Sequence, residues 1–122
     1  MGDAPLIGIL DDEEHFRRAL SRLLQAHHYR IMDFANGPEF LAESARRRFD
    51  LLLLDLAMPG MSGFDVLEEM RKDPASPPAI VITGLDHMEV FQRARELNAF
   101  ECLAKPIPDE VLVGAIQRAL KR

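Results

Sequence analysis

Five short apolar runs punctuate this chain, and each is followed by a stretch whose apolar residues recur at helical spacing. The runs are Leu6-Ile7-Gly8-Ile9-Leu10, residues 29–34, Leu51-Leu52-Leu53-Leu54, Ala79-Ile80-Val81-Ile82 and residues 100–103. Between and after them come Phe16, Leu20, Leu23 and Leu24; Phe40, Leu41 and Ala45; Phe64, Val66, Leu67 and Met70; Val90, Ala94 and Leu97; and a last segment from Pro108 to Leu120. A strand-then-helix alternation repeated five times predicts an α/β fold, a parallel sheet covered by helices on both faces. The run 51–54 has no polar interruption, so it belongs at the sheet centre, buried on both sides. Boundary signals agree with this division. Asp12 stands where a helix N-cap belongs, Asn36-Gly37-Pro38 is a turn into a helix, and Pro108 opens the last helix. Asn98 suits the left-handed position that ends the fourth helix.

One domain, residues 1–122, accounts for the whole length, and 48% hydrophobic residues suffice for its core. No apolar run approaches the roughly 20 residues of a membrane helix, and no signal-peptide pattern opens the chain. The single cysteine, Cys102, cannot form an internal disulfide, so a reducing cytoplasm is the expected setting. A net charge of −5 disfavours direct nucleic-acid binding by this domain.

Open parallel sheets bind ligands beyond the carboxyl ends of their strands. Just past the first strand lie Asp11 and Asp12, past the third Asp55, past the fourth Thr83 and Gly84, and past the fifth Lys105 and Pro106. Three carboxylates on one rim repel, by about 3 kcal/mol per pair at roughly 5 Å and an effective dielectric near 20. A hard divalent cation relieves this, and Mg²⁺ is the natural choice because it takes one or two carboxylates, keeps waters and accepts phosphate oxygens. Lys105 supplies a compact charge for Asp55 or for a phosphoryl oxygen, and Thr83 a hydroxyl donor. Such a set suits phosphoryl transfer to a carboxylate, where positioning and charge neutralisation dominate.

Taken singly, each residue has a plainer reading. Asp11-Asp12 is a helix cap beside a solvated acid, Thr83 a strand end, Lys105 a surface lysine and Met58-Pro59-Gly60 a turn. Phe40, Phe64 and Phe91 are core residues, and His15, His27, His28 and His87 sit at the surface or at helix ends. Only the joint order and placement argue for a site.

Asp11-Asp12-Glu13, the stretch Asp55-Leu56-Ala57-Met58-Pro59-Gly60-Met61-Ser62-Gly63, Thr83-Gly84 and Lys105-Pro106 together resemble the signature of response regulator receiver domains. The likeness runs from Leu6 to Leu120. It implies a flavodoxin-like doubly wound sheet of five parallel strands in the order 2-1-3-4-5, with five helices. It implies a signalling phosphoacceptor that catalyses only its own phosphotransfer and dephosphorylation, taking the phosphoryl group from a sensor histidine kinase onto Asp55. Mg²⁺ would be held by Asp12, Asp55 and the backbone carbonyl of Ala57, with Asp11 acting through water. Thr83 and Lys105 would contact the phosphoryl group, and the Lys105-Pro106 bond would be cis. An output domain, or a homodimer through the fourth helix, fifth strand and fifth helix, would read the signal. The stretch from Phe34-Ala35 to Glu39-Phe40-Leu41 is similar to the branch with a helix-turn-helix output, implying transcriptional control.

One position departs from the family. Tyr or Phe usually stands three residues before the lysine, and here it is Cys102. A thiol has no ring to rotate, so the expected signal route is the loop 84–87 and the start of the fourth helix, through Met88 and Phe91. Three other readings stand beside this one. A flavin-binding domain would want a Ser/Thr-rich loop where Asp11, Asp12 and Glu13 lie. An aspartyl-phosphate phosphatase would want Asp-x-Asp after the first strand. A degenerate receiver serving only for docking is disfavoured by the presence of Asp55, Thr83 and Lys105, though Cys102 leaves it open.

Overall fold

The computed structural model describes residues 3–84 and 88–121. Strands β1 (Leu6–Leu10), β2 (Arg30–Phe34), β3 (Leu51–Leu54), β4 (Ala79–Thr83) and β5 (Glu101–Ala104) alternate with helices α1 (Glu14–Ala26), α2 (Gly37–Ser44), α3 (Gly63–Arg71), α4 (Met88–Glu96) and α5 (Asp109–Lys121). All pairings are parallel, in the order β2-β1-β3-β4-β5. The continuous run Leu51–Leu54 is the central strand, and all four of its residues are buried.

Period-two alternation splits the interior into two layers. Leu52 and Leu54 join Leu10, Phe34, Phe40, Phe49, Val66 and Val81 on the side of α2, α3 and α4. Leu51 and Leu53 join Ile7, Ile9, Leu20, Leu24, Ile80, Ile82 and Ile116 on the side of α1 and α5. Each fully buried leucine contributes about 1.5–3 kcal/mol by leaving water. Phe34, Phe40 and Phe49 meet edge-on or tilted, with centroids 5.3–5.9 Å apart. Phe64 and Phe91, expected in the core, are only half-buried. Phe64 packs against the core edge, and its ring lies 4.1 Å under the Arg93 guanidinium.

Element ends follow local chemistry. Asn36 caps α2 by accepting from the Glu39 N–H at 3.0 Å, and Ser62 and Asp65 form a reciprocal capping box on α3. Asn98, at φ 71°, ends α4 with the paired bonds of a Schellman turn, Ala99 N–H to Ala94 at 3.0 Å and Asn98 N–H to Arg95 at 2.9 Å. His28, at φ 70°, ends α1 in the same way. Asp12 does not cap α1. That position belongs to Glu13, whose side chain makes no capping bond, because the turn is closed from Asp11: its Oδ1 accepts from the Glu13 N–H at 2.8 Å. The last helix begins at Asp109, with the Pro108 carbonyl accepting its first bonds. His15, His27 and His28 are exposed, as expected; His87 lies outside the described residues. Among the described residues no helix is long and apolar enough to cross a membrane.

Candidate functional site

Register brings the site residues to one rim. Leu10 pairs with Leu54, so Asp11 and Asp55 leave their strands at the same level. The Asp55 N–H donates to the Leu10 carbonyl at 3.0 Å, and the Lys105 N–H to the Thr83 carbonyl at 2.8 Å. The strand order reverses between β1 and β3, where a doubly wound sheet opens its crevice.

Asp11 and Asp55 are buried, at 2% and 6% exposure, Thr83 is fully buried, and Asp12 is exposed. One carboxylate oxygen from each of Asp11, Asp12 and Asp55 lies within 4.8 Å of the others. Burial, and next the charge of Asp11, push the Asp55 carboxyl up from 3.8 to about 6. The Lys105 ammonium and the Ala57 N–H, 3.3 Å from Asp55 Oδ1, pull it down, and Asp12 adds a smaller upward push. Three hard oxygen donors crowded at this range fit a divalent cation of the Mg²⁺ kind.

Lys105 does not pair with Asp55, one of the two partners its charge suggested. Its Nζ sits 2.9 Å from Asp11 Oδ2 and 4.0 Å from the centre of the Phe16 ring. Asp11 is buried, so a direct counter-charge offsets part of the cost of taking it out of water. The Lys105–Pro106 peptide bond is cis, as the resemblance implied. A second cation escaped the sequence reading: Arg17 donates to the Asp11 carbonyl at 2.8 Å and to Asp33 Oδ2 at 3.0 Å. Phe16 and Arg17 fall in the first turn of the helix that follows the acid pair, and that placement is the signal that could have flagged them. A groove of about 1060 Å³ at the opposite end of the strands, lined by Arg48, Phe49, Asp73 and Arg95 among others, contains none of these residues.

Gly63 fixes the distance between α3 and the segment that follows β3. A Cβ there would come within 2.3 Å of the Asp55 carbonyl oxygen and 2.6 Å of Leu56 Cα, with no side chain able to yield. The Gly63 N–H donates to the Leu56 carbonyl at 3.0 Å. On β5, the Cys102 thiol points to the Phe91 carbonyl of α4 at 3.9 Å. Burial pushes that thiol up, with Arg95 opposing, which keeps it protonated. Arg118 of α5 holds Glu101 through both carboxylate oxygens, at 2.9 and 3.0 Å.

This fold and rim define a class, and the comparisons with known proteins agree. The family model for the response regulator receiver domain matches residues 7–117, and the chain belongs to that family. Response regulator PleD of Caulobacter vibrioides is 38% identical over 116 residues, which cover 93% of this chain and 25% of PleD. Transcriptional regulatory protein FixJ of Rhizobium meliloti is 33% identical over 113 residues, covering 93% of this chain and 55% of FixJ. The chemotaxis protein CheY4 of Vibrio cholerae superposes with a TM-score of 0.90 at 29% identity, covering 96% of this chain and 99% of that one. The chain thus spans from a quarter to about half the length of these two curated relatives. Receiver domains are signalling domains of two-component systems.

Proposed function

We propose that this chain accepts a phosphoryl group on Asp55 from a sensor histidine kinase and so switches an output domain or partner, in transcriptional control. The supporting observation is the convergence of Asp11, Asp12 and Asp55 oxygens within 4.8 Å beside the Lys105 ammonium. A carboxylate oxygen of Asp55 attacks phosphorus, and the bond from phosphorus to the donor histidine nitrogen breaks. Lys105 and Thr83 then contact the phosphoryl oxygens through charge-assisted and hydroxyl hydrogen bonds. Asp12, Asp55 and the Ala57 carbonyl would hold Mg²⁺, with Asp11 reaching it through water. The ion supplies the charge neutralisation that lets a phosphoryl group approach three carboxylates. The domain acts as a phosphoacceptor in the reducing cytoplasm, residues 1–122 form one unit, and α4, β5 and α5 form the face that signals or dimerises. It makes no direct contact with nucleic acid or membrane.

The test is intact mass after treatment with acetyl phosphate and Mg²⁺. Wild type should gain about 80 Da, a phosphoryl group, and Asp55→Asn should gain nothing. Full labelling of that variant would sink the assignment. Excess chelator should reduce wild-type labelling to background, and Asp12→Ala should weaken Mg²⁺ binding at least about tenfold, since it removes a unit charge beside the site. Undiminished labelling in chelator would refute the metal requirement.

Cys102 sets how the switch is read. A small thiol fills little of the space that a moving Thr83 would open, so we expect the signal to leave through Gly84, Met88 and Phe91. A phosphoryl mimic with Mg²⁺ should shift amide resonances there more than at Cys102. Largest shifts at Cys102 and its strand neighbours would contradict this route.

A further inference from the structure

Asp11 is held from two sides by one turn of helix. Arg17 takes its carbonyl, and Lys105, seated on the face of Phe16, takes its carboxylate. The ammonium lies 4.0 Å from the Phe16 ring centre, well inside the range in which an aromatic face attracts a cation. Phe16 also packs, half-buried, against the layer formed with α1 and α5. A leucine is apolar enough to sit against that layer, though smaller. Only an aromatic ring offers its negative face to a cation.

We infer that Phe16 is a positioning residue for the phosphoacceptor site: its ring parks the Lys105 ammonium on Asp11, so that Lys105 and a divalent cation compete for the same carboxylate cluster. The inference rests on the reading of Asp55 as phosphoacceptor for its purpose, but not for its geometry. Asp11 contributes one of the three oxygens gathered within 4.8 Å, and that same residue carries the Lys105 contact at 2.9 Å. A cation entering the cluster meets a positive charge already fixed there. Loosening the seat frees Lys105 to swing away and lowers the opposition. Arg17, anchored to Asp33 at 3.0 Å, keeps the Asp11 backbone still while this exchange occurs.

The chain has three lysines, Lys72, Lys105 and Lys121, so lysine-selective ¹³C,¹⁵N labelling gives a spectrum that can be assigned completely. In metal-free wild type the Lys105 ε-methylene protons should lie upfield of the other two, shielded by the Phe16 ring. Phe16→Leu should abolish that shielding and Phe16→Tyr should keep it. Mg²⁺ titrated into wild type should move the Lys105 signals and leave Lys72 and Lys121 in place. By calorimetry, Phe16→Leu should bind Mg²⁺ about three- to tenfold more tightly than wild type, the range a partly buried cation–π contact supplies. Phe16→Tyr should stay within about twofold. An unshielded Lys105 in wild type overturns the inference, as does equal Mg²⁺ affinity in wild type and Phe16→Leu, or a tyrosine variant that behaves like the leucine one. Failure of Asp55 to take a phosphoryl group would instead overturn the functional reading and leave the shielding intact.

Discussion

Asp55→Asn should make the protein more stable at pH 7.5, by about 2 kcal/mol, while removing the proposed phosphoacceptor. Folding lifts the Asp55 carboxyl from 3.8 to about 6, chiefly by burial and by Asp11. A shift of that size corresponds to at most about 3 kcal/mol, and solvent at the rim trims it. Between pH 3.8 and about 6 the folded chain binds more protons at this position than the unfolded chain, so stability falls as pH rises through that window. Above it both states are ionised and the whole cost is present. Below it both are protonated and the cost is gone. Asparagine does not titrate. The gain should therefore be full at pH 7.5, shrink through pH 6 to 4, and vanish near pH 3.5. In thermal unfolding the neutral-pH gain corresponds to about 6–10 °C for a chain of this size. Mg²⁺ should raise the wild-type midpoint and narrow the gap, because binding to the folded state alone stabilises it. A variant no more stable than wild type at pH 7.5, or one equally favoured at pH 3.5, would contradict this account of the site.

Gly63→Ala should do the reverse and cost about 3 kcal/mol, at the upper end of what overpacking inflicts. The added methyl would run into the Asp55–Leu56 backbone, at 2.3 Å from the Asp55 carbonyl oxygen, 2.6 Å from Leu56 Cα and 3.0 Å from the Asp55 carbonyl carbon. Relief requires α3 to retreat or the peptide after Asp55 to tilt, and either one strains the Gly63–Leu56 hydrogen bond. The same displacement moves Asp55 and Ala57, so acetyl phosphate labelling should slow about a hundredfold, the usual effect of roughly 1 Å of misplacement. Gly114→Ala provides the contrast. Its Cβ would meet only Arg118, at 3.6 Å, within α5. That change should stabilise by about 0.5–1 kcal/mol through helix propensity. Denaturant midpoints and labelling rates measure both variants. Wild-type stability and labelling in Gly63→Ala would show that the gap between α3 and the Asp55–Leu56 backbone is not tight.

Much of this molecule was written locally in its sequence. β1 and β3 begin and end where their apolar runs do, because strands buried on both faces admit no polar interruption. Asn36 and Asn98 mark helix ends through their own side-chain and backbone preferences. The rim residues were legible as well, since a polar residue directly after a buried parallel strand has one place to go. His28 was legible only as a surface or helix-end residue; its left-handed backbone, uncommon outside glycine, is set by the Schellman turn at the end of α1. Which partners the rim residues take was settled only by tertiary structure. Asp11 and Phe16 lie close together, after β1 and in the first turn of α1, but Lys105 follows β5, and no local pattern relates it to them. Strand register levels Asp11 with Asp55, and the packing of α1 against the sheet brings the Phe16 ring under the ammonium. Sequence alone fixed which charges gather at the rim, because that depends on strand ends. Tertiary packing chose Asp11 over Asp55 for Lys105, because pairing strength depends on distance and desolvation, which exist only in the folded chain.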